Sequence, residues 1–202
     1  QKILISPEPE RGVELLAETG LMPYVLPGGF SPEGVRGMAS LPAEFTLRMA
    51  CLQWGLPEES AVAQNLAGLR LSNAVRKDIL TLLRSASMDV TATPVCARRW
   101  RHAFGGLALP ALAVRRAAGA GAHAELDALA VLVAASAEKQ EPVCISDLAV
   151  NGRDLIAAGI PAGPRIGEVL EKLQREEVIS IYRTEQQKHS FKEICAAFDD
   201  AE

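Results

Sequence analysis

Signals that start and stop helices recur along the whole chain, and they constrain its fold more than any other feature. Between residues 7 and 20, Val13 and Leu16 lie at helical spacing, and Gly20 then supplies a residue suited to the left-handed conformation that closes helices. Around residues 71–86 a serine or asparagine cap precedes a one-sided apolar stripe. No stretch alternates apolar and polar residues as a half-buried strand would. We therefore predict an all-α fold.

A polar segment divides the chain into a long helical part and a short C-terminal part. Residues 137–144 (AEKQEPVC) contain a proline and follow the most apolar helical run of the sequence. We predict a multi-helix body over residues 1–140, followed over residues 141–202 by a small helical hairpin unit. The hairpin itself, residues 151–173, is marked by glycines and by two prolines.

The net charge of −4 conceals a strong asymmetry along the chain. Residues 1–69 hold 4 Lys/Arg against 8 Asp/Glu, whereas residues 117–202 hold 8 against 15. Residues 70–116 reverse the balance, with 9 Lys/Arg against 2 Asp/Glu, and we name them the basic block. A basic block inside an acidic chain predicts a localised patch for a polyanion. The other interpretation is a solvated helix surface.

Motifs for an independent active site are missing from the sequence. It contains no GxxxxGK[ST], HExxH, GxSxG or Asp-x-Asp pattern. The three histidines lie far apart, and the four cysteines, 45, 48 and 51 residues apart, match neither a zinc site nor a disulfide framework. No apolar run reaches the ~18 residues that cross a bilayer. We predict a cytoplasmic protein with reduced thiols, no membrane segment, and no metal or cofactor of its own.

The hairpin offers a place for a nucleic-acid phosphate. We predict a short helix over residues 146–150, a turn at Asn151–Gly152, a second short helix over residues 154–158, and a final helix beginning at Pro164. The first turn of such a helix leaves backbone N–H groups unpaired at the positive end of its dipole. Gly163 would let a phosphate approach these amides, and Arg165 would add a charged donor. Alternatively, the glycines merely permit close packing in a helix–helix turn.

A second candidate site is the helical segment over residues 96–104 (CARRWRHAF). Arg98 and Arg101 lie three residues apart and share a helix face. Trp100 would stack on a base or belong to the core. Arg115 and Arg116 would extend the basic strip if the helices pack side by side. The residues predicted to contact nucleic acid are Arg70, Arg76, Lys77, Arg98, Arg99, Arg101, Gly152, Gly163 and Arg165.

The hairpin resembles the C-terminal element of bacterial tRNA nucleotidyltransferases, the CCA-adding enzyme and poly(A) polymerase family. That element reads D-L, a glycine turn, D-L, and then G-x-x-x-G-P-x-I-G-x-x-L. Residues 2–27 are similar to the family's neck and residues 44–52 and 69–80 to its body, whereas residues 174–202 depart from its usual tail. The hairpin motif is filled by Asp147–Leu148, Gly152, Asp154–Leu155, Gly159, Gly163, Pro164, Ile166, Gly167 and Leu170.

The resemblance implies that a separate catalytic head carries out the chemistry. In the family an N-terminal head holds a paired-aspartate metal site, selects CTP and ATP, and extends the tRNA 3′ end or adenylates RNA by two-metal phosphoryl transfer. None of those head motifs occurs in these 202 residues, so we expect Mg²⁺ and CTP or ATP to be bound by the head, and this chain alone to be inactive. The neck, body and tail would grip the acceptor and TψC arms of tRNA through phosphates and A-form shape.

Two other classes of function remain open from the residues alone. One is a stand-alone helix-hairpin-helix module that binds the DNA backbone, with which residues 159–167 (GIPAGPRIG) are compatible. The other is a protein-interaction scaffold, whose arginines would be solvated surface residues. The partners that we expect are tRNA or another structured RNA, together with a nucleotidyltransferase head.

Overall fold

The structure is a computed structural model that describes residues 1–56, 59–141, 143, 151–157 and 159–175. Over these residues the chain forms helices and loops with no strand, so the predicted all-α fold is confirmed. Three short 3₁₀ helices lie at Met38–Ser40, Ser85–Ser87 and Gly105–Leu107. The α-helices are α1 (Pro9–Glu18), α2 (Met22–Val25), α3 (Pro32–Gly37), α4 (Phe45–Leu52), α5 (Glu59–Gly68), α6 (Asn73–Arg84), α7 (Pro94–Phe104), α8 (Ala108–Ala117), α9 (His123–Glu138), α10 (Gly152–Ala157) and α11 (Pro164–Arg175).

Helix ends follow the local sequence signals. Gly20 has φ +71° and closes α1, while the amide of Leu21 donates to the Leu16 carbonyl at 3.0 Å, which is the Schellman arrangement. The Ser72 hydroxyl caps α6 by accepting from the Val75 amide at 3.3 Å, so the serine, and not the asparagine after it, is the cap. Local chemistry therefore accounts for where these helices begin and end.

α8 lies at the centre of the helical packing. It packs against α4, α6, α7 and α9, while α6 packs mainly on α4 and α7 mainly on α9. The side chains of α8 that face this centre are small, since Ala111 and Val114 are fully buried. Gly37 of α3 lies so close to α8 that a Cβ there would overlap the carbonyl of Ala117. The large buried side chains around α8 include Ile79, Leu82, Trp100, Leu126 and Leu129.

Two buried polar side chains hold loops onto this core. Arg48 of α4 donates from Nη1 to the carbonyls of Leu4 and Ser6, at 2.7 and 2.9 Å, and from Nη2 to the Leu41 carbonyl at 3.0 Å. Asn65 of α5 accepts from the Gly28 amide at 2.8 Å. Because a buried donor left unpaired is costly, each of these side chains fixes the loop that supplies its partners.

The C-terminal helices α10 and α11 pack against each other. Leu155 of α10 is fully buried, yet it lies outside the main hydrophobic cluster. Gly152 does not form the predicted turn but is the first residue of α10, because the Asn151 side chain caps that helix by accepting from the Arg153 amide at 2.9 Å. The predicted helix over residues 146–150 lies outside the described residues, as do residues 176–202, and the division at residue 140 stays a prediction.

Candidate nucleic-acid interface

The structure separates the cations of the basic block into two groups. Five guanidinium groups bind other parts of the protein, and four side chains extend into solvent. The bound group is Arg76, Arg98, Arg101, Arg115 and Arg116. The exposed group is Arg70, Lys77, Arg84 and Arg99, which make no hydrogen bond or ion pair over the residues that the structure describes. Net charge along the sequence therefore overstates the charge available to a ligand.

Arg98 and Arg101 share one face of α7, as their spacing predicts, and that face meets the end of α9. Arg101 donates from Nη1 to the carbonyl and hydroxyl of Ser136, both at 2.9 Å, and to the Glu141 carbonyl at 2.8 Å. Arg98 is only 8% exposed, and its Nη1 lies 3.9 Å from the Glu141 carboxylate. Arg101 therefore caps α9, and both arginines hold Glu141, which follows that helix.

The other three arginines of the bound group contact different parts of the protein. Arg115 donates from Nη1 to the carbonyls of Ser85 and Met88, both at 2.6 Å, and so holds the loop that follows α6. Arg116 forms an exposed ion pair with Asp127 at 3.0 Å, of the kind that solvent screens strongly. Arg76 is half-buried and donates to the Leu66 carbonyl at 3.4 Å.

Two of the exposed cations form a line on α6. Lys77 and Arg84 are seven residues apart, which places them on one face, about 10 Å from each other along the axis. Leu80 lies between them and is 39% exposed. We name Lys77, Leu80 and Arg84 the α6 stripe. Exposed Arg70 precedes α6 and has a left-handed backbone with φ +47°. Arg84 is not among the residues predicted from sequence to contact nucleic acid, although its spacing from Lys77 was a usable signal.

α7 presents a different surface on its outer side. Arg99 and His102 are exposed and three residues apart, so they are neighbours there. Trp100 is fully buried, donates from Nε1 to the Asp89 carbonyl at 3.1 Å, and has its ring centroid 4.9 Å from that of Phe104. Of the two interpretations of Trp100, the structure therefore supports the core residue.

The start of α11 is open to solvent. Gly163 is exposed, and a Cβ placed there would meet nothing within 4 Å, so packing does not require a glycine. Pro164 begins the helix and Arg165 is exposed beside it. Gly152 differs, because a Cβ there would lie 3.2 Å from the Ile166 side chain. Close packing of α10 on α11 therefore gives Gly152 a structural role.

The described part of the chain offers little else for chemistry. It contains no group of three or more His, Cys, Asp or Glu placed to hold a metal ion. Burial raises the pKa of Cys51 to about 12, which keeps that thiol protonated and unreactive. Across the described helices, none is long and apolar enough to cross a membrane.

Comparison with known proteins identifies the class of molecule. A family model for tRNA nucleotidyltransferase domain 2 matches residues 46–188, and a model described as "Probable RNA and SrmB-binding site of polymerase A" matches residues 1–31. These two matches support the resemblance to the helical C-terminal region of tRNA nucleotidyltransferases and poly(A) polymerases. The chain belongs to the tRNA nucleotidyltransferase domain 2 family, whose model spans more than half of it. Searches of curated proteins and of solved structures found no match.

Proposed function

We propose that this chain grips the acceptor and TψC arms of tRNA while a nucleotidyltransferase head, carrying the metal site and the CTP or ATP, extends the 3′ end. The observation that carries the proposal is the α6 stripe, two exposed cations of one helix face with no partner among the described residues. An ammonium and a guanidinium held on a rigid helix are suited to phosphates. The proposal adds Arg70 and Arg99 as further phosphate contacts.

Contact with phosphates is the mode of recognition that this surface favours. The deep major groove of A-form RNA hides its base edges, so proteins recognise duplex RNA by shape and by phosphate and 2′-hydroxyl contacts. Each phosphate neutralised by a lysine or arginine releases counterions, which makes binding dependent on salt. The acidic remainder of the chain is compatible with this, because charges beyond about 8 Å are largely screened at physiological salt.

The proposal assigns different roles to the other predicted contacts. Gly163 and Arg165 lie at the exposed start of α11 and remain candidates for a second phosphate. Arg76, Arg98 and Arg101 would support RNA binding only through the fold, since their guanidinium groups hold backbone carbonyls or a carboxylate. Gly152 would likewise act through packing.

A titration of the chain with deacylated tRNA and with mixed-sequence duplex DNA, each over a salt series, tests the proposal. We expect tRNA to bind with a clear salt dependence and duplex DNA to bind more weakly at matched salt. Preference for DNA would instead favour the helix-hairpin-helix module. Binding to neither would favour the scaffold interpretation.

A further inference from the structure

The two cations of the α6 stripe are held in different ways by the fold. Lys77 lies inside α6, where regular helical hydrogen bonds fix the backbone on both sides of it. Arg84 is the last residue of that helix. The final four carbonyls of a helix have no partner within it, so its last turn frays unless other groups donate to them. The position of Arg84 therefore depends on what closes α6.

Two serine hydroxyl groups close the end of α6 locally. The Ser87 hydroxyl donates to the carbonyl of Arg84 itself at 2.9 Å. Ser85, which follows Arg84, is fully buried, and its hydroxyl donates to the Leu82 carbonyl at 2.6 Å. Each of these bonds joins residues three positions apart, so they satisfy carbonyls of the last turn without fixing that turn to the rest of the protein.

Arg115 of α8 supplies the long-range contact at this end of α6. Its guanidinium donates from Nη1 to the carbonyls of Ser85 and Met88, both at 2.6 Å. It also donates from Nε to the carbonyl of Ala120, in the loop after α8, at 3.3 Å. Hydrogen bonds from a charged donor are roughly twice as strong as those between neutral groups. Arg115 therefore ties the residue directly after Arg84 to the central helix of the fold.

We propose that Arg115 is a positioning residue for RNA binding, which holds Arg84 in line with Lys77 before RNA arrives. The inference rests on the proposed function, since it takes the α6 stripe as a phosphate site. Without Arg115 the last turn of α6 would fray, and Arg84 would have to be ordered again whenever RNA binds, at a cost in affinity. Arg115 itself is half-buried and acts through Arg84 without touching RNA.

A double-mutant cycle on the binding of deacylated tRNA by the whole chain tests this inference. At about 0.1 M salt we expect Arg84→Ala to weaken binding about fivefold to tenfold, the loss of one phosphate contact. Arg115→Ala should weaken binding about threefold or more, and the double variant about as much as Arg84→Ala alone, because both changes act on the same contact. The corresponding cycle of Arg115→Ala with Lys77→Ala should be additive.

Two further variants separate lost position from lost stability. Arg101→Ala is the matched control, because Arg101 also holds carbonyls at the end of a helix, α9, which carries no residue of the α6 stripe. In its folded form it should bind tRNA as the unmodified chain does. Arg115→Gln is the milder variant, whose amide can still donate to one carbonyl, and it enters the same cycle if Arg115→Ala does not fold.

Three results would overturn the inference while leaving the tRNA grip intact. Unchanged tRNA binding by a folded Arg115 variant would show that Arg84 needs no hold from α8. Additive losses for Arg115 and Arg84 would show that Arg115 meets RNA directly, and equal weakening by Arg101→Ala would assign the effect to stability. If Arg84→Ala itself leaves binding unchanged, the α6 stripe is not a phosphate site, and the proposed function fails together with this inference.

Discussion

Arg101 of α7 donates to the carbonyl and to the hydroxyl of Ser136, both at 2.9 Å, and so closes the C-terminal end of α9. Arg101→Ala would leave these acceptors and the Glu141 carbonyl without their charged donor. We predict that the free energy of unfolding falls by about 2–3 kcal/mol, measured by urea denaturation. The salt dependence of tRNA binding should stay as in the unmodified chain under conditions where the variant is folded. A flattened salt dependence would contradict the assignment of Arg101 to the fold.

Arg99 provides the opposite case two residues earlier on the same helix. Its side chain is exposed and makes no hydrogen bond or ion pair with the residues that the structure describes. Arg99→Ala should therefore change the free energy of unfolding by less than about 0.5 kcal/mol. If Arg99 contacts a phosphate, the affinity of the Arg99→Ala variant for tRNA should fall at every salt concentration tested in a fluorescence titration. Unchanged affinity would remove Arg99 from the interface.

Arg48 is the strongest tie between the first residues and the body. Its guanidinium satisfies the carbonyls of Leu4, Ser6 and Leu41 in a buried site. Arg48→Ala should lower the free energy of unfolding by about 3 kcal/mol or more, and limited proteolysis should cut the first eight residues faster. Arg48→Lys should rescue little, because an ammonium cannot donate in the same planar fork. A lysine variant as stable as the unmodified chain would contradict this account.

Cys51 is predicted to resist thiol reagents. Burial in an apolar site raises its pKa to about 12, so the thiolate, which is the reactive form, is scarce at pH 8. We expect iodoacetamide at pH 8 to leave Cys51 unmodified in the folded chain and to alkylate it in urea, as peptide mass spectrometry would show. Reaction should begin only as pH rises toward that pKa or as the chain unfolds. Rapid modification of the folded chain at pH 8 would show that the site opens.

Much of the fold was predictable because its signals are local. Gly20 and Ser72 end or begin helices through contacts with residues four or fewer positions from the helix terminus. The charge of the basic block was equally visible. The direction in which each guanidinium points was not predictable, because Arg98, Arg99 and Arg101 differ only in their angular position around α7. Which of these positions faces the rest of the protein depends on where α9 packs. That contact joins residues more than thirty positions apart, beyond the reach of any local pattern.

The most direct test of the proposed tRNA grip is the slope of log K against log salt for tRNA binding, compared between the unmodified chain and Lys77→Ala/Arg84→Ala. Arg36→Ala is the matched control, because Arg36 is exposed but paired with Glu33 at 3.1 Å, outside the basic block. The account predicts that the double variant flattens the slope by about two units, one for each lost phosphate contact, while the control leaves it unchanged. An unchanged slope in a folded double variant would contradict the claim that the α6 stripe holds RNA.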